Sequence, residues 1–166
     1  GTNAEYVDAV ADLVKRHDVN CVLPTSDEEA LALSANRELI EVNGCLLACA
    51  DAGVLRTVAD KADCYRRLAD IGIHVPHHCR VDEMELLRDV LTSFLADHNE
   101  AVVKPAAGRG GRGVYVLRKD VEGAYPYQGG REIHSDLITF ERDYLNELEA
   151  FLPVIVMQRL VEPVFD

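Results

Sequence analysis

Residues 102–114 read Val-Val-Lys-Pro-Ala-Ala-Gly-Arg-Gly-Gly-Arg-Gly-Val, and they carry the strongest structural signal in the chain. Two valines lead into Lys104 and a proline, which is the pattern of a buried strand that ends at the proline. Four glycines in six positions follow, and residues 113–117 then alternate as a second strand. Such a loop exposes backbone N–H groups to a ligand, and Arg109 and Arg112 add charge suited to phosphate oxygens.

The loop has two interpretations. It is neither a Walker loop nor a dinucleotide-binding fingerprint, because both of those open a helix and here a strand follows. Taken alone, the loop is as consistent with a flexible hairpin turn as with a phosphate-binding flap. Lys104 favours the flap, because it lies at the exit of the preceding strand, where an ammonium group reaches phosphates under the loop. An isolated lysine at a strand end is usually just solvated, so the prediction depends on the two features together.

Composition excludes several classes of partner. The chain has 166 residues, of which 48% are hydrophobic and 28% charged, as in an ordinary folded protein. Its formal net charge of −12 argues against a general nucleic-acid or membrane surface binder, since either polyanion would repel it. Residues 104–119 are the exception, with five Lys or Arg and no Asp or Glu. No apolar stretch approaches the roughly 20 residues of a membrane span.

The cysteines indicate a reducing compartment. There are five of them, with no CxxC pair, and Cys21, Cys45 and Cys49 lie inside apolar runs. We therefore expect reduced, buried thiols in a cytoplasmic protein. The adjacent residues His77, His78 and Cys79 do not favour a zinc site, because neighbours on a strand point to opposite faces.

The first 59 residues predict alternating helices and strands, and hence a parallel sheet. The expected elements are a helix over 4–16, a strand over 19–23, a helix from Ser26 to about 43 that stops at Gly44, a strand over 45–50 and a third short helix. Asp27 and Glu28 are more consistent with the acidic start of a helix than with substrate ligands.

A second unit is predicted from Asp60, an N-cap candidate, onward. It contains a helix to Asp70 that closes on Gly72, a strand over 77–81, a helix over 83–97, the strands around the glycine loop, a loop over 120–135, a helix over 136–151 and a last strand over 153–157. The inward face of the 83–97 helix should carry Leu86, Leu87, Val90, Leu91, Phe94 and Leu95.

Five short segments, in this order, resemble the ATP-grasp superfamily, nearest to its carbamoyl-phosphate-synthetase-like branch. They are Asp60-Lys61 and residues 72–76, 102–105, 108–114 and 156–161. The resemblance covers nearly the whole chain and implies an α/β protein with α+β lobes. Residues 1–59 would be a partial preATP-grasp, Rossmann-like domain with a parallel sheet. Residues 60–166 would be the N-terminal ATP-grasp nucleotide-binding subdomain, truncated, with a glycine-rich flap.

The resemblance also implies which residues bind ATP. Lys61 and Lys104 would contact the phosphates or the adenine. The flap that closes over the triphosphate would consist of Gly108, Arg109, Gly110, Gly111, Arg112 and Gly113. A hinge strand that reads the adenine edge through its backbone would consist of Gln158, Arg159, Leu160 and Val161. Two of these, Gln158 and Arg159, stand where the family usually has a glutamate, so an acidic adenine contact is not expected from them. Lys61 is otherwise an ordinary first-turn residue of a capped helix.

The implied function is ATP binding within a carboxylate–amine or carbamoyl-phosphate-synthetase-like ligase that acts through an acyl phosphate. The implied partners are ATP and a small carboxylate or bicarbonate-like substrate, with no nucleic acid and no membrane. Mg²⁺ would be held by ligands beyond Asp166, so we expect a fragment that is inactive alone. Asp166 would either hold the ribose or begin the next strand. The alternative function is a non-catalytic nucleotide-binding or structural α/β module.

Overall fold

The computed structural model describes residues 3–108, 113–127, 129 and 131–159. The chain falls into two compact units, residues 1–59 and residues 60–166. Helices and strands occur in both units, which confirms the predicted α/β class.

The first unit has a helical layer and a short parallel strand pair. Its elements are α1 (Asn3–His17), β1 (Cys21–Val22), α2 (Asp27–Ser34), α3 (Arg37–Ile40), a 3-10 turn (Val42–Gly44), β2 (Leu46–Leu47) and α4 (Ala52–Ala59). The two strands pair in parallel, Cys21 with Leu46 and Val22 with Leu47. Val7, Ala11 and Val14 lie on one stripe of α1 and pack against Leu33 and Ile40, because residues three and four apart share a helix face.

The long helix predicted from Ser26 to about residue 43 is wrong, since the chain breaks between α2 and α3. The Asn36 side chain donates to the carbonyl oxygen of Ala32 at 2.9 Å, and the Ser34 hydroxyl donates to that of Ala50 at 2.7 Å. The helix ends here because these polar side chains bond to backbone carbonyls. After the break, Arg37 donates to carbonyl oxygens of Leu47, Cys49 and Ala50, and so ties α3 to the segment after β2.

The second unit is a six-stranded sheet with helices on both faces. Its elements are α5 (Lys61–Asp70), β3 (His78–Val81), α6 (Met84–Asp97), β4 (Glu100–Pro105), β5 (Val114–Arg118), β6 (Ala124–Tyr127), β7 (Glu132–Ser135), α7 (Leu137–Asp143), α8 (Leu145–Leu148), a 3-10 turn (Glu149–Phe151) and β8 (Val154–Met157). The strand order is β3-β8-β4-β5-β7-β6, with all neighbours antiparallel except β5 and β7.

Alternation along the strands divides the apolar side chains between the two faces. Ala101 and Val103 of β4 pack with α6, α7 and α8, in a cluster that includes the fully buried Phe140. Val102 of β4 packs instead with Ala62 and Tyr65 of α5, in a cluster with Val116, Ile155 and Met157. The face covered by α5 holds fewer apolar side chains, and a cavity opens there.

The predicted loop over 120–135 is wrong, because it contains the two strands β6 and β7. Pro126 lies in β6, at the edge of the sheet, where a missing N–H group is tolerated. The helix predicted over 136–151 is interrupted at Tyr144, which separates α7 from α8. Asp136 caps α7 by accepting hydrogen bonds from the Thr139 amide and hydroxyl at 2.8 and 2.7 Å.

Two predicted burials are also wrong. Leu86 is 53% exposed, because the inward stripe of α6 runs through Leu87, Leu91, Phe94 and Leu95. Cys21 is exposed, while Cys45 is buried and the other three cysteines are intermediate. All five are free thiols, as predicted.

Candidate functional site

A cavity of about 680 Å³ lies in the second unit, on the face of the sheet that α5 covers. The four apolar side chains Val102, Val114, Val116 and Met157 form its floor. Its walls include Lys61, Tyr65 and Leu68 of α5, the segment His74 to Pro76, and the charged residues Lys104, Glu132 and Arg159. The described lining thus combines an apolar floor with three cations and one carboxylate, and its excess of positive charge suits an anionic ligand with an apolar part.

Lys61, the first residue of α5, is attached to the start of the glycine-rich loop. Its Nζ lies 3.0 Å from the carbonyl oxygen of Pro105, 3.4 Å from that of Ala106 and 3.3 Å from that of Gly108. Its backbone N–H also donates to Ala106 at 2.8 Å. The ammonium therefore lies at the entrance of the loop, although Lys61 is 44 to 47 residues away from these carbonyl groups in the chain.

The residue before it, Asp60, holds the start of α5 in place. Its Oδ1 accepts hydrogen bonds from the amides of Ala62 and Asp63 at 2.9 and 3.1 Å, as predicted for an N-cap. Its other oxygen pairs with Arg80 of β3. Burial alone would raise the pKa of Asp60, but the hydrogen bonds from the Asp63 amide and from Arg80 outweigh it and lower the pKa. The carboxylate therefore stays charged and anchors the helix beside the cavity.

Lys104 points to the cavity side of β4, because it has the same parity as Val102. Burial and the neighbouring charge of Lys61 both lower the pKa of Lys104. An ammonium group in this position is less well solvated than a free lysine, so an anion that enters the cavity would stabilise its charged form. Lys61 and Lys104, both of which the resemblance implies to contact ATP, line one cavity.

The remaining predicted site residues divide into two groups. Arg159 lines the cavity, whereas Gln158 donates its N–H to the carbonyl oxygen of His77 at 2.9 Å. Both residues follow the end of β8 at Met157. They are therefore not part of a strand, although the expected hinge strand begins with them. Leu160, Val161 and Asp166 lie outside the described residues, as do the flap residues Arg109, Gly110, Gly111 and Arg112.

The described ends of the flap are Gly108 and Gly113. Both have positive φ, +136° and +67°, a region that only glycine adopts without strain. A Cβ atom at Gly113 would approach the Phe151 ring at 3.4 Å and the Pro105 ring at 3.5 Å. These are ordinary van der Waals distances, so the backbone conformation, and not a lack of space, favours glycine at 113.

Sequence reasoning missed Tyr65, His74 and Glu132 as cavity residues. Glu132 was missed because residues 120–135 were interpreted as a loop. The alternation of Glu132, Ile133, His134 and Ser135 was a signal for a strand that places the first and third side chains on one face.

A second cavity, of about 670 Å³, lies against α6 and the start of α7. Its charges are balanced among the described residues, since Arg118 and Lys119 face Glu122 and Asp136. Arg118 is also paired with Asp120 at 2.9 Å. This cavity lacks the excess of positive charge that distinguishes the cavity lined by Lys61 and Lys104.

In the first unit, residues 25–29 form a helix cap. Ser26 Oγ accepts from the Glu29 amide at 3.3 Å, and Glu29 accepts from the Thr25 amide at 2.8 Å. The arrangement resembles a capping box, except that Glu29 bonds to the amide of Thr25 and not to that of the N-cap Ser26. Asp27 and Glu28 lie in the first turn of α2, consistent with their interpretation as helix-start acids.

Metal-binding clusters and membrane-spanning helices are both absent from the described part of the chain. No group of three or more His, Cys, Asp or Glu side chains in it could hold a metal ion. Nor does any helix within those residues have the length and apolar character needed to cross a bilayer.

Several solved structures share this fold. D-alanyl-alanine synthetase A from Vibrio cholerae has a TM-score of 0.60 at 11% identity, covering 87% of this chain and 38% of that one. The biotin carboxylase domain of Hydrogenobacter thermophilus 2-oxoglutarate carboxylase has a TM-score of 0.56 at 17% identity, covering 94% and 32%. Rhizobium etli pyruvate carboxylase has a TM-score of 0.58 at 17% identity, covering 94% and 12%. The chain thus spans well under half the length of these proteins.

The sequence model of one family, described as "Sugar-transfer associated ATP-grasp", matches residues 50–148. This match covers more than half of the chain, and the chain belongs to that family. The prediction of the ATP-grasp superfamily is confirmed. A comparison with curated proteins finds no match.

Proposed function

We propose that this chain is the ATP-binding part of an ATP-dependent ligase. The observation that carries the proposal is the placement of Lys61 and Lys104 in one cavity, at the entrance of the glycine-rich loop. A triphosphate is the nucleotide group that needs two converging ammonium groups and a loop of exposed backbone amides.

The lining of the cavity suits both parts of a nucleotide. Its cations Lys61, Lys104 and Arg159 would neutralise the polyphosphate. The apolar floor around Val102, Val114 and Val116 offers a flat surface for the base. The flap residues 109–112 would add their amides and two arginines over the phosphates.

For the reaction, we propose that a small carboxylate or bicarbonate-like substrate attacks the γ-phosphate of ATP, which releases ADP and forms an acyl phosphate. An amine then displaces inorganic phosphate from this intermediate, as in the carbamoyl-phosphate-synthetase-like branch. ATP supplies the transferred phosphoryl group, with Mg²⁺ as its counterion. The Hydrogenobacter thermophilus structure contains MgADP and bicarbonate, which supports this class of ligands. The part of this chain in the reaction is to position and neutralise the triphosphate. We place it in the cytoplasm, a location that suits its five free thiols.

Isothermal titration with ATP and Mg²⁺ tests the proposal. The wild-type chain should bind ATP, and a double variant with Lys61→Ala and Lys104→Ala should bind it more than about 100-fold less tightly, since each lost charge-assisted bond is worth about 1.5–3 kcal/mol. Lys15→Ala is the matched control, because Lys15 is an exposed lysine of α1. Circular dichroism would verify that all variants fold. An unchanged affinity in the folded double variant would refute the proposal.

A further inference from the structure

Glu132 lies in the same row of the sheet as Lys104. Val114 of β5 pairs in register with Glu132 of β7, and Val103 of β4 pairs with Tyr115 of β5, so Lys104 comes next to Val114. All three side chains line the cavity. With adjacent strands about 4.8 Å apart, the Cα atoms of Lys104 and Glu132 are roughly 10 Å apart.

Glu132 is the one carboxylate among the described residues that line this cavity, and it is held by a buried histidine. Its Oε2 lies 3.3 Å from Nε2 of His134, whose side chain is only 3% exposed. The rings of Tyr125 and Tyr127 lie 5.5 and 4.7 Å from the His134 ring.

The protonation of His134 follows from its surroundings. Its Nδ1 is buried and has no hydrogen-bond partner among the described residues. A proton there would be a buried donor without an acceptor, whereas a proton on Nε2 is satisfied by Glu132. We therefore assign the neutral Nε2–H tautomer. The pair keeps one net negative charge, and His134 orients the Glu132 carboxylate by donating to Oε2.

No described residue donates a hydrogen bond to the other oxygen, Oε1 of Glu132. Phosphate oxygens are excluded as its partner, because two anions would repel each other. The donors that a nucleotide offers are the exocyclic amino group of its base and its ribose hydroxyls. Glu132 borders the apolar floor at Val114, the surface that suits a flat ring, so the edge of a base lying there is the nearest part of the ligand.

We propose that Glu132 accepts a hydrogen bond from the exocyclic amino group of adenine and selects ATP through it, with His134 as a positioning residue. The inference rests on the proposed function, since it concerns the same cavity. It predicts that selectivity depends on a single amino group of the ligand.

The experiment compares the dissociation constants of ATP, purine riboside triphosphate and 2′-deoxy-ATP, measured by titration calorimetry. Purine riboside triphosphate lacks only the 6-amino group and adds no new donor or acceptor. The wild type should bind ATP about 10- to 100-fold more tightly than this analogue, because the contact is a hydrogen bond to a charged group. Glu132→Ala should bind the two equally, and Glu132→Gln, which keeps an acceptor oxygen, should retain part of the ratio.

The histidine gives a second readout. His134→Phe removes the orienting donor and should reduce the ATP preference, while His134→Gln keeps a donor near the Nε2 position and should restore it. Glu122→Ala is the matched control, because Glu122 is an exposed glutamate that lines the other cavity.

Several results would overturn the inference. One is a preference for ATP over the analogue that survives Glu132→Ala. Another is an equal change in Glu132→Ala of the dissociation constants of ATP and purine riboside triphosphate. That result would mean that Glu132 only balances the charge of the cavity cations or acts through Mg²⁺. A loss in Glu132→Ala that disappears with 2′-deoxy-ATP would assign the contact to the ribose. If the folded wild type binds no ATP, the proposed function fails as well; if it binds ATP without this preference, only the inference fails.

Discussion

Lys104→Met should have opposite effects on the free protein and on its ATP complex. In the free protein, burial and the charge of Lys61 lower the pKa of Lys104, so the charged side chain destabilises the fold. Removing the charge should raise the melting temperature. The folded state binds this proton less tightly than the unfolded state, so the gain is full below the lowered pKa of the folded state and is lost as the pH rises from there towards about 10.4, the ordinary pKa of lysine.

With ATP present, the sign reverses. A charge-assisted hydrogen bond contributes about 1.5–3 kcal/mol, and solvent screening reduces this slightly, to about 1.4–2.7 kcal/mol, because Lys104 is only partly buried. The dissociation constant should rise about 10- to 100-fold. At an ATP concentration 100 times the wild-type constant, stabilisation by ATP should fall from about 2.7 kcal/mol to between about 1.4 and 0.4 kcal/mol.

Thermal melting with and without ATP and Mg²⁺ measures both effects. For a chain of this size, the ATP-induced shift of the melting temperature should drop from roughly 5–11 °C to below about 6 °C. Lys15→Met, which removes the same charge from an exposed site, should change neither quantity. A lower melting temperature of free Lys104→Met, or an undiminished ATP shift, would refute the reasoning.

Three further predictions concern the second unit. Phe140→Ala should lower the free energy of unfolding in urea by about 3–5 kcal/mol, because Phe140 is 0% exposed. Ile138→Ala, in the same helix at 77% exposure, should change it by no more than about 0.5 kcal/mol. Equal losses would contradict the burial of Phe140 in the core. Gly113→Ala should cost about 1–2 kcal/mol, since φ is +67° and an alanine is strained in this conformation. An unchanged unfolding midpoint would count against that backbone conformation. Burial raises the pKa of Tyr115 to about 12, so the unfolded state loses this proton first and the free energy of unfolding should fall between pH 10 and 12. Tyr115→Phe should lose less stability over that range. Parallel plots of stability against pH for the two proteins would argue against the raised pKa.

Local sequence was sufficient wherever a contact depends on residues close together in the chain. The strand before the glycine loop and the N-cap at Asp60 were predicted correctly, because strand parity and capping involve only a few consecutive residues. The same short-range reasoning failed at Asn36, where a side chain bonds to the backbone and ends the helix, and at the edge strand β6.

Local sequence does not predict the cavity, because its lining residues come from several strands whose order in the sheet local patterns do not reveal. Alternation predicts that Lys104 and Val102 share a face, but not that α5 covers that face and brings Lys61 to the loop. Glu132 reaches the row of Lys104 only because β7 pairs in parallel with β5. Sequence therefore determines the chemistry of each segment, whereas long-range strand pairing and helix packing decide which segments meet, since those contacts join residues far apart along the chain.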